Sequence, residues 1–304
     1  MIDLRRLQYF VAVAEHGTMA KAVDAVGVAQ PTLSQQIRAL EHDLGTILFD
    51  RTGRGMELTE AGRTLRDHAL PLIAQAQAAR VAITELEGVA AGELRIGAIP
   101  TFNTAFLPRV VARFAERYPG VRLTVEQAPA QAIESGIMAG RYDLGIAFAP
   151  PHHAELGVKI LFEERLALVV AKDHPLAASR IIPLSALDSI PLALLTHAFA
   201  TRRLLDRAVE GRTTLQVRIE MNSIEALLAL ARDGTAPTVL TDKSLGSPRD
   251  LAIVPIGPQA IRRKAALLWP VHRYNSAAAR AFLDMTAKLI PEYARVGSSV
   301  PVER

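Results

Sequence analysis

Cysteine is absent from the 304-residue sequence, which excludes disulfides and thiolate metal sites and is compatible with a reducing compartment. Long apolar runs are also absent: none reaches the roughly 20 residues needed to span a bilayer. The first segment, "MIDLRRLQYF", lacks the layout of a secretory signal. Half of the residues are hydrophobic, enough for a sizeable core. We therefore expect a cytoplasmic protein of about two domains that has no membrane partner.

Catalytic signatures are missing as well. The sequence contains no G-x-S-x-G, G-x-x-x-x-G-K-[ST], H-E-x-x-H or G-x-G-x-x-G segment. The adjacent histidines His152 and His153 follow two prolines and are more typical of a solvated loop than of a metal site. We expect no catalytic residues, no metal and no cofactor, so an α/β enzyme is the weakest interpretation.

Positive charge is unevenly distributed. The net charge is +4, yet residues 1–92 hold 9 basic and 11 acidic side chains. The excess of positive charge therefore lies in the remainder of the chain. If the N-terminal part binds DNA, local clusters must do so, because bulk charge does not favour it.

The segment "QPTLSQQIRALEHDLG", residues 30–45, has the pattern of a well-ended amphipathic helix. Leu33, Ile37, Leu40 and Leu44 form one apolar stripe. Pro31 suits the first helical turn, and Gly45 can close the helix in a left-handed conformation. The opposite face carries Gln30, Thr32, Ser34, Gln35 and Arg38.

Residues 1–58 are predicted to form three helices and a hairpin, a winged helix-turn-helix. In such proteins the second helix of the motif lies in the major groove, where Gln35 can pair with adenine, Arg38 with guanine, and Thr32 can touch a thymine methyl. The hairpin residues Arg51 and Arg54 suit phosphates or a minor groove. The candidate DNA-binding residues are Gln30, Pro31, Thr32, Ser34, Gln35, Arg38, Arg51 and Arg54. The alternative is a solvated helix face on a helical interaction domain.

Residues 59–88 contain a heptad pattern that implies pairing of helices between two chains. Pro71 lies inside this helix and should bend it or weaken one turn. The alternative is a helix packed on its own domain. The predicted seam consists of Leu65, Ala69, Leu72, Ala76, Ala79, Ile83 and Leu86.

From Gly92 onwards, predicted strands and helices alternate, which indicates a mostly parallel sheet covered by helices. Ligands of such sheets bind beyond the carboxyl ends of the strands, and helix N-termini there favour anions. We expect a small anionic or dipolar ligand, with Arg202 supplying a guanidinium. The alternative for Thr101, Asn103 and Ser223 is that each only caps a helix. The candidate ligand-binding residues are Thr101, Asn103, Pro129, Phe148, Thr196, His197, Phe199, Thr201, Arg202 and Asn222.

The segment "LQYFVAVAEHGTMAKAVDAVGVAQPTLSQQIRALEHDLGTILFDRTGRGMELTEAG" resembles the DNA-binding signature of LysR-type transcriptional regulators. One departure is Ala29, where that family usually places Ser; a modest loss of affinity or a substitute from Thr32 is implied. A looser resemblance continues to about residue 292. Residues 143–150, 165–177 and 197–202 are more narrowly similar to cyanate-operon regulators.

The resemblance implies a protein of α+β and α/β class. It implies a winged helix-turn-helix at 1–58, a linker and dimerisation helix at 59–91, and a two-lobed effector-binding domain at 92–304 that resembles periplasmic binding proteins. Lobe I is expected at about 92–163 and 267–295, and lobe II at about 164–266.

The function implied is ligand-responsive control of a metabolic operon, as activator or repressor. The implied partners are operator DNA, a small co-inducer that contacts Thr101, and further copies of the chain as a homodimer or homotetramer, with RNA polymerase as an additional partner. The alternative is a small-molecule binding protein whose N-terminal helices only dimerise.

Overall fold

The computed structural model describes residues 2–52, 55–84, 92–245, 250–257 and 261–295. The chain divides into a first unit, Met1–Leu86 with Met138–Arg141, and a second unit that combines Glu87–Ile137 with Tyr142–Arg304. Among the helices of these described ranges, none combines the length and the apolar character needed to cross a membrane.

The first unit is a three-helix motif followed by a hairpin and a long helix, as predicted. Local sequence explains where its helices begin and end. The Thr18 side chain accepts a hydrogen bond from the Lys21 backbone N–H, which caps the second helix, whereas Ala29 offers the third helix no side-chain cap. Its elements are α1 (Leu4–His16), α2 (Met19–Val26), α3 (Gln30–Leu44), β1 (Phe49–Thr52), β2 (Gly55–Leu58) and α4 (Glu60–Thr84).

The hairpin β1–β2 is attached to the turn between α1 and α2. The Met56 N–H donates to the Gly17 carbonyl at 2.8 Å. Gly55 lies so close to this turn that a Cβ atom there would stand 2.4 Å from the same oxygen. Glycine is therefore required at the base of the wing, because any side chain would push the hairpin away.

Helix α4 uses its apolar residues in two ways. Ala69 is fully buried, and Leu65 and Ile73 pack against the core of the first unit. Leu72 and Ile83, by contrast, are 56% and 69% exposed. The predicted seam is therefore wrong for its first two residues, which pack within the chain, and stays a prediction for the others. Leu86 lies outside the described residues.

The helix runs without interruption through Pro71. The bend predicted at this proline stays a prediction.

The second unit alternates strands and helices, with one short helix, α5, that the sequence pattern did not predict. Its helices are α5 (Pro100–Ala105), α6 (Leu107–Arg117), α7 (Ala130–Met138), α8 (Ala200–Val209), α9 (Ile224–Arg232) and α10 (Ala277–Arg295). Its strands are β3 (Gly92–Ala98), β4 (Val121–Gln127), β5 (Leu144–Ala149), β6 (Leu156–Ala171), β7 (Ile182–Pro183), β8 (Pro191–Leu195), β9 (Gln216–Met221), β10 (Thr238–Thr241), β11 (Leu251–Gly257) and β12 (Arg262–Pro270).

Two long strands, β6 and β12, join the two halves of the sheet. Strand order is β4-β3-β5-β12-β6-β10-β8-β9, and β11 pairs with β6 and β7. Pairing within each half is parallel, but β6 and β12 are antiparallel to each other, and every other strand that pairs with either of them is antiparallel to it. The prediction of a mostly parallel sheet is therefore wrong at the centre of the molecule.

The paired partners of β6 define the two lobes. Residues 156–165 of β6 pair with β12, whereas residues 166–171 pair with β10 and β11. Lobe I thus holds β3, β4, β5 and most of β12, and lobe II holds β7 to β11. The lobe limits expected at 163/164 and 266/267 lie inside these two strands.

Side-chain alternation along β6 supplies both faces of lobe II. Leu166, Leu168 and Val170 pack into the cluster on one face, and Val169 packs into the cluster on the other. This period of two is what a strand buried on both faces requires.

We expect Gly62→Ala to destabilise the first unit. Alanine in a helix normally stabilises relative to glycine by about 1 kcal/mol. Here an added Cβ would stand 2.2 Å from the Leu48 carbonyl oxygen. We expect a net loss of about 1–3 kcal/mol in the free energy of unfolding, measured by denaturant titration. The control is Ala79→Gly at an exposed position of the same helix, which should lower the free energy of unfolding by about 1 kcal/mol, as glycine normally does in a helix. A stabilised Gly62→Ala variant would contradict the close approach.

Candidate functional site

The polar face of α3 is solvent-exposed. Leu33, Ile37 and Leu40 are buried against the core, so the helix turns its other side outward. Gln30, Pro31, Thr32, Gln35 and Arg38 are exposed and Ser34 is half-buried. The Arg38 guanidinium donates to the Ser34 hydroxyl at 3.1 Å, which orients it along this face.

Three contacts hold α3 in place behind this face. Arg6 of α1 donates to Gln36 at 3.1 Å and to Asp43 at 2.7 Å. The Leu48 N–H donates to the Glu41 carboxylate at 2.9 Å, which ties α3 to the chain that enters the hairpin. The helix is therefore positioned by residues that do not belong to its exposed polar face.

The basic residues of the hairpin are only partly described. The backbone of Arg51 lies in β1, while Arg54 lies outside the described residues.

An aromatic cluster occupies lobe I where α5 meets the end of β5 and the middle of β6. The Phe102 ring is 5.9 Å from Phe148 and 5.5 Å from Phe162, in edge-to-face arrangements. Phe106 lies 5.5 Å from Phe162 on the other side. The cluster lies at the boundary between the lobes, because α5 also contacts the 3₁₀ turn Asp242–Leu245 of lobe II.

Arg263 of β12 contacts both lobes at this boundary. Its Cζ lies 3.9 Å from the ring centroid of Phe148 in lobe I, a cation–π contact. Its Nη2 donates to the Thr201 hydroxyl at the start of α8 in lobe II at 2.9 Å, and its Nε donates to Glu164. Its side chain is 9% exposed and that of Glu164 is 0% exposed.

Burial dominates the titration of this pair. Desolvation raises the pKa of Glu164, and the neighbouring Arg263 guanidinium opposes that increase. Desolvation likewise lowers the pKa of Arg263, and Glu164 opposes that change. Each charge is therefore tolerated in the interior because the other is present.

Two buried polar atoms beside the aromatic cluster have no hydrogen-bond partner among the described residues. They are Nη1 of Arg263 and Oγ1 of Thr101, both of which can donate, and the neighbouring acceptor Oε2 of Glu164 is also buried without a partner in the described ranges. Thr101 is 4% exposed and lies inside α5, whose N-cap is Ile99, so the alternative in which Thr101 caps a helix is wrong. Asn103 is half-buried in the same helix and is not its cap either.

Arg202 belongs to a separate network within lobe II. Its Nε donates to Asp206 at 2.8 Å, and its Nη1 donates to the Leu195 carbonyl at 3.0 Å and to Glu220. His197 is largely exposed and lies 3.0 Å from Asp206. The positive charge of Arg202, which the sequence pattern predicted to contact a ligand, is thus balanced by carboxylates of the same chain. This makes Arg202 a weaker candidate for binding an anion.

The remaining predicted residues are dispersed. Pro129 and Asn222 are exposed, whereas Thr196 and Phe199 are half-buried. Ser223 accepts from the Ala226 N–H at 3.2 Å and is therefore the cap of α9.

Sequence reasoning missed Arg263 and Glu164. The signal was alternation: Arg262 and Lys264 are exposed, and Arg263 between them points inward. A charged residue at an inward position of a strand is unusual enough to indicate a site.

An exposed polar helix in a helix-turn-helix and a two-lobed α/β unit are the architecture of a DNA-binding protein with a ligand-binding domain. The chain matches the bacterial regulatory helix-turn-helix domain of the lysR family over residues 4–63 and the LysR substrate binding domain over residues 87–290. It belongs to the LysR family of transcriptional regulators. It is accordingly an effector-responsive DNA-binding regulator. Membership of this family excludes both the α/β enzyme and the small-molecule binding protein whose N-terminal helices only dimerise.

Relatives and solved structures agree with this assignment. The chain is 32% identical to the SDS degradation transcriptional activation protein of Pseudomonas sp., covering 97% of this chain and 100% of that one. It is 29% identical to a probable RuBisCO transcriptional regulator of Synechocystis sp., covering 99% and 89%.

A full-length variant of OxyR from Pseudomonas aeruginosa superimposes with a TM-score of 0.76 at 25% identity, covering 98% of both chains. CbnR, solved in complex with its target DNA, shares the fold with a TM-score of 0.55 at 24% identity, covering 95% and 100%.

Proposed function

We propose that this regulator binds a small anionic or dipolar effector in the interlobe cleft. The observation that supports this most directly is the buried, unpartnered hydroxyl of Thr101. A buried polar group without a partner costs about 1–3 kcal/mol, and folded proteins rarely retain one without a reason. An effector oxygen or nitrogen placed against Thr101 removes that cost only when the effector is bound.

The walls of the cleft support the same assignment. Phe102 and Phe148 supply apolar surface, and Thr201 of lobe II supplies a second hydroxyl, which accepts from the Arg263 guanidinium that covers the Phe148 ring. Ligand pockets typically combine apolar walls with a few convergent polar groups. Because the walls belong to different lobes, an effector that contacts both favours one lobe arrangement over others.

We propose that the exposed face of α3 reads base edges in the major groove. Gln35 and Arg38 are three residues apart and both are exposed on the same face of the helix. Side chains that contact bases from a recognition helix have this arrangement. Thr32 would touch a thymine methyl, and Gln30, Pro31 and Ser34 would lie against the adjacent backbone.

We propose assembly through the exposed apolar residues of α4, as a homodimer and then a homotetramer. Leu72 and Ile83 are large side chains left open to solvent, as seam residues are before a partner helix covers them. Two DNA-binding units in one assembly would bind two half-sites. A cytoplasmic location and contact with RNA polymerase complete the proposed role.

The relatives described above are named for different regulatory targets, RuBisCO and SDS degradation. The similarity of three segments to cyanate-operon regulators therefore stays a prediction.

We expect Gln35→Ala and Arg38→Ala each to cost about 1–3 kcal/mol on the specific operator, because a bidentate base contact is lost. Binding to unrelated duplex should fall much less, measured by fluorescence anisotropy at fixed salt. Gln77→Ala, on the exposed side of α4, is the control. Unchanged sequence preference in both variants would reject α3 as the reading helix.

We expect Thr101→Val to weaken effector binding about ten- to hundredfold, since an acceptor on the ligand loses its donor in a buried setting. The measurement is calorimetric titration of the full chain with small anions, acetate, benzoate and bicarbonate among them. Operator affinity without effector should stay unchanged. Thr238→Val, which removes another buried and unpartnered hydroxyl on β10, is the matched control. Equal affinity in Thr101→Val and wild type would place the ligand elsewhere.

We expect Leu72→Asp with Ile83→Asp to dissociate the assembly, because charges buried in a helix–helix interface without partners are costly. Sedimentation velocity would show the loss of oligomer. The control carries the same charges at two exposed positions that are not seam residues, Gln75→Asp with Gln77→Asp. If both double variants sediment like wild type, α4 is not the seam.

A further inference from the structure

We propose that Arg263 recognises a carboxylate group of the effector, and that Glu164 is a built-in competitor that holds this arginine while the effector is absent. The inference rests on the proposed effector site between the lobes and specifies the chemical class of ligand. It also assigns two residues that carry the selectivity of the site.

The contacts of Arg263 leave one edge for a ligand. Nε faces Glu164, Nη2 faces Thr201, and the flat face covers the Phe148 ring. Nη1 is buried and has no partner among the described residues, as is true of the Thr101 hydroxyl. A guanidinium held on three sides presents its last N–H donors in a fixed direction, which suits the planar oxygens of a carboxylate.

The charges around the pair favour an anion over a neutral ligand. Arg203 is close enough to lower the pKa of Arg263 by charge repulsion. Arg203 itself donates to the backbone carbonyls of His197 and Ala198 at 2.8 Å. Because these acceptors are neutral, the two hydrogen bonds do not neutralise the positive charge of Arg203. Across the cleft, Arg165 pairs with Asp242. The guanidinium groups of Arg263, Arg203 and Arg165 thus lie near two carboxylates, Glu164 and Asp242, and this local excess of positive charge favours a bound anion.

Glu164 limits how tightly that anion can bind. It is completely buried beside Arg263, so its negative charge opposes a second carboxylate at the same guanidinium in a medium that screens poorly. In this ion pair, Arg263 therefore gives selectivity for a carboxylate, and Glu164 keeps the affinity for that carboxylate moderate. The pair lies next to the point where β6 passes from lobe I into lobe II, which lets the ligand's charge act on the contacts that Arg263 makes with Phe148 and Thr201.

Isosteric probes that differ in charge test this directly. Full-length protein is titrated calorimetrically with acetate and acetamide, and with benzoate and benzamide. Wild type should bind at least one carboxylate about tenfold or more tighter than its amide. Glu164→Gln keeps an acceptor for Arg263 but removes the competing charge, so carboxylate affinity should rise about threefold to tenfold while amide affinity stays unchanged.

Arg263→Gln should abolish the preference for carboxylate. Because either change could prevent folding, Arg263→Lys is the second variant: it keeps a charge opposite Glu164 but lacks the Nη1 edge, and should lose most of the preference. The matched controls are Glu163→Gln and Arg262→Gln, the exposed pair one residue away, which should behave like wild type.

The possible results separate the two proposals. If Thr101→Val weakens binding but Arg263→Gln and Arg263→Lys retain the carboxylate preference, the cleft binds a ligand and this inference is overturned. Weaker carboxylate binding in Glu164→Gln, or no carboxylate binding in either wild type or Glu164→Gln, overturns it too. If a carboxylate binds in an Arg263-dependent manner that Thr101→Val leaves unaffected, the proposed placement against Thr101 fails instead.

Discussion

The antiparallel pairing of β6 with β12 is the constraint on which the second unit depends. Strand β6 continues from one lobe into the other and β12 pairs along its lobe I part, so every other strand takes its place from these two, directly or through a neighbour. Sixteen residues of β6 serve two sheet halves and two core faces in lobe II. A connection made of two strands is stiff along its length yet can twist, which is the mechanical property that a ligand-dependent change between lobes requires.

The two functional surfaces use opposite physical settings. On α3 the polar side chains are solvated, so they carry no desolvation penalty while DNA is absent. The apolar stripe on the buried side of the helix supplies the stability. In the cleft the polar groups are already desolvated. Arg263 is tolerated there because Glu164 lies beside it, and two of the donors left without partners among the described residues, Arg263 Nη1 and Thr101 Oγ1, are ones that an anionic ligand would satisfy. Affinity for the operator should therefore depend strongly on salt, whereas affinity for the effector should depend on shape and charge.

The helix-turn-helix could be predicted almost completely because its determinants are local. Thr18 caps α2, Gly45 ends α3 with a positive φ, and the spacing of Leu33, Ile37 and Leu40 orients the helix. The cleft was predicted less well. Phe148 and Thr201 were identified as candidates and the structure brings both into contact with Arg263, but Arg202 proved to be engaged by Asp206 and Glu220.

What the sequence alone determined is the class of each segment: hydrophobic period, caps and turns act over a few residues, so they can be read along the chain. Only the tertiary structure decided the direction of β12 and the pairing of Arg263 with Glu164, which are 99 residues apart. It also decided which apolar residues of α4 pack within the chain and which remain exposed. Strand direction and ion pairing depend on which distant segments meet, and neither the period of a strand nor the charge of a residue specifies its partner.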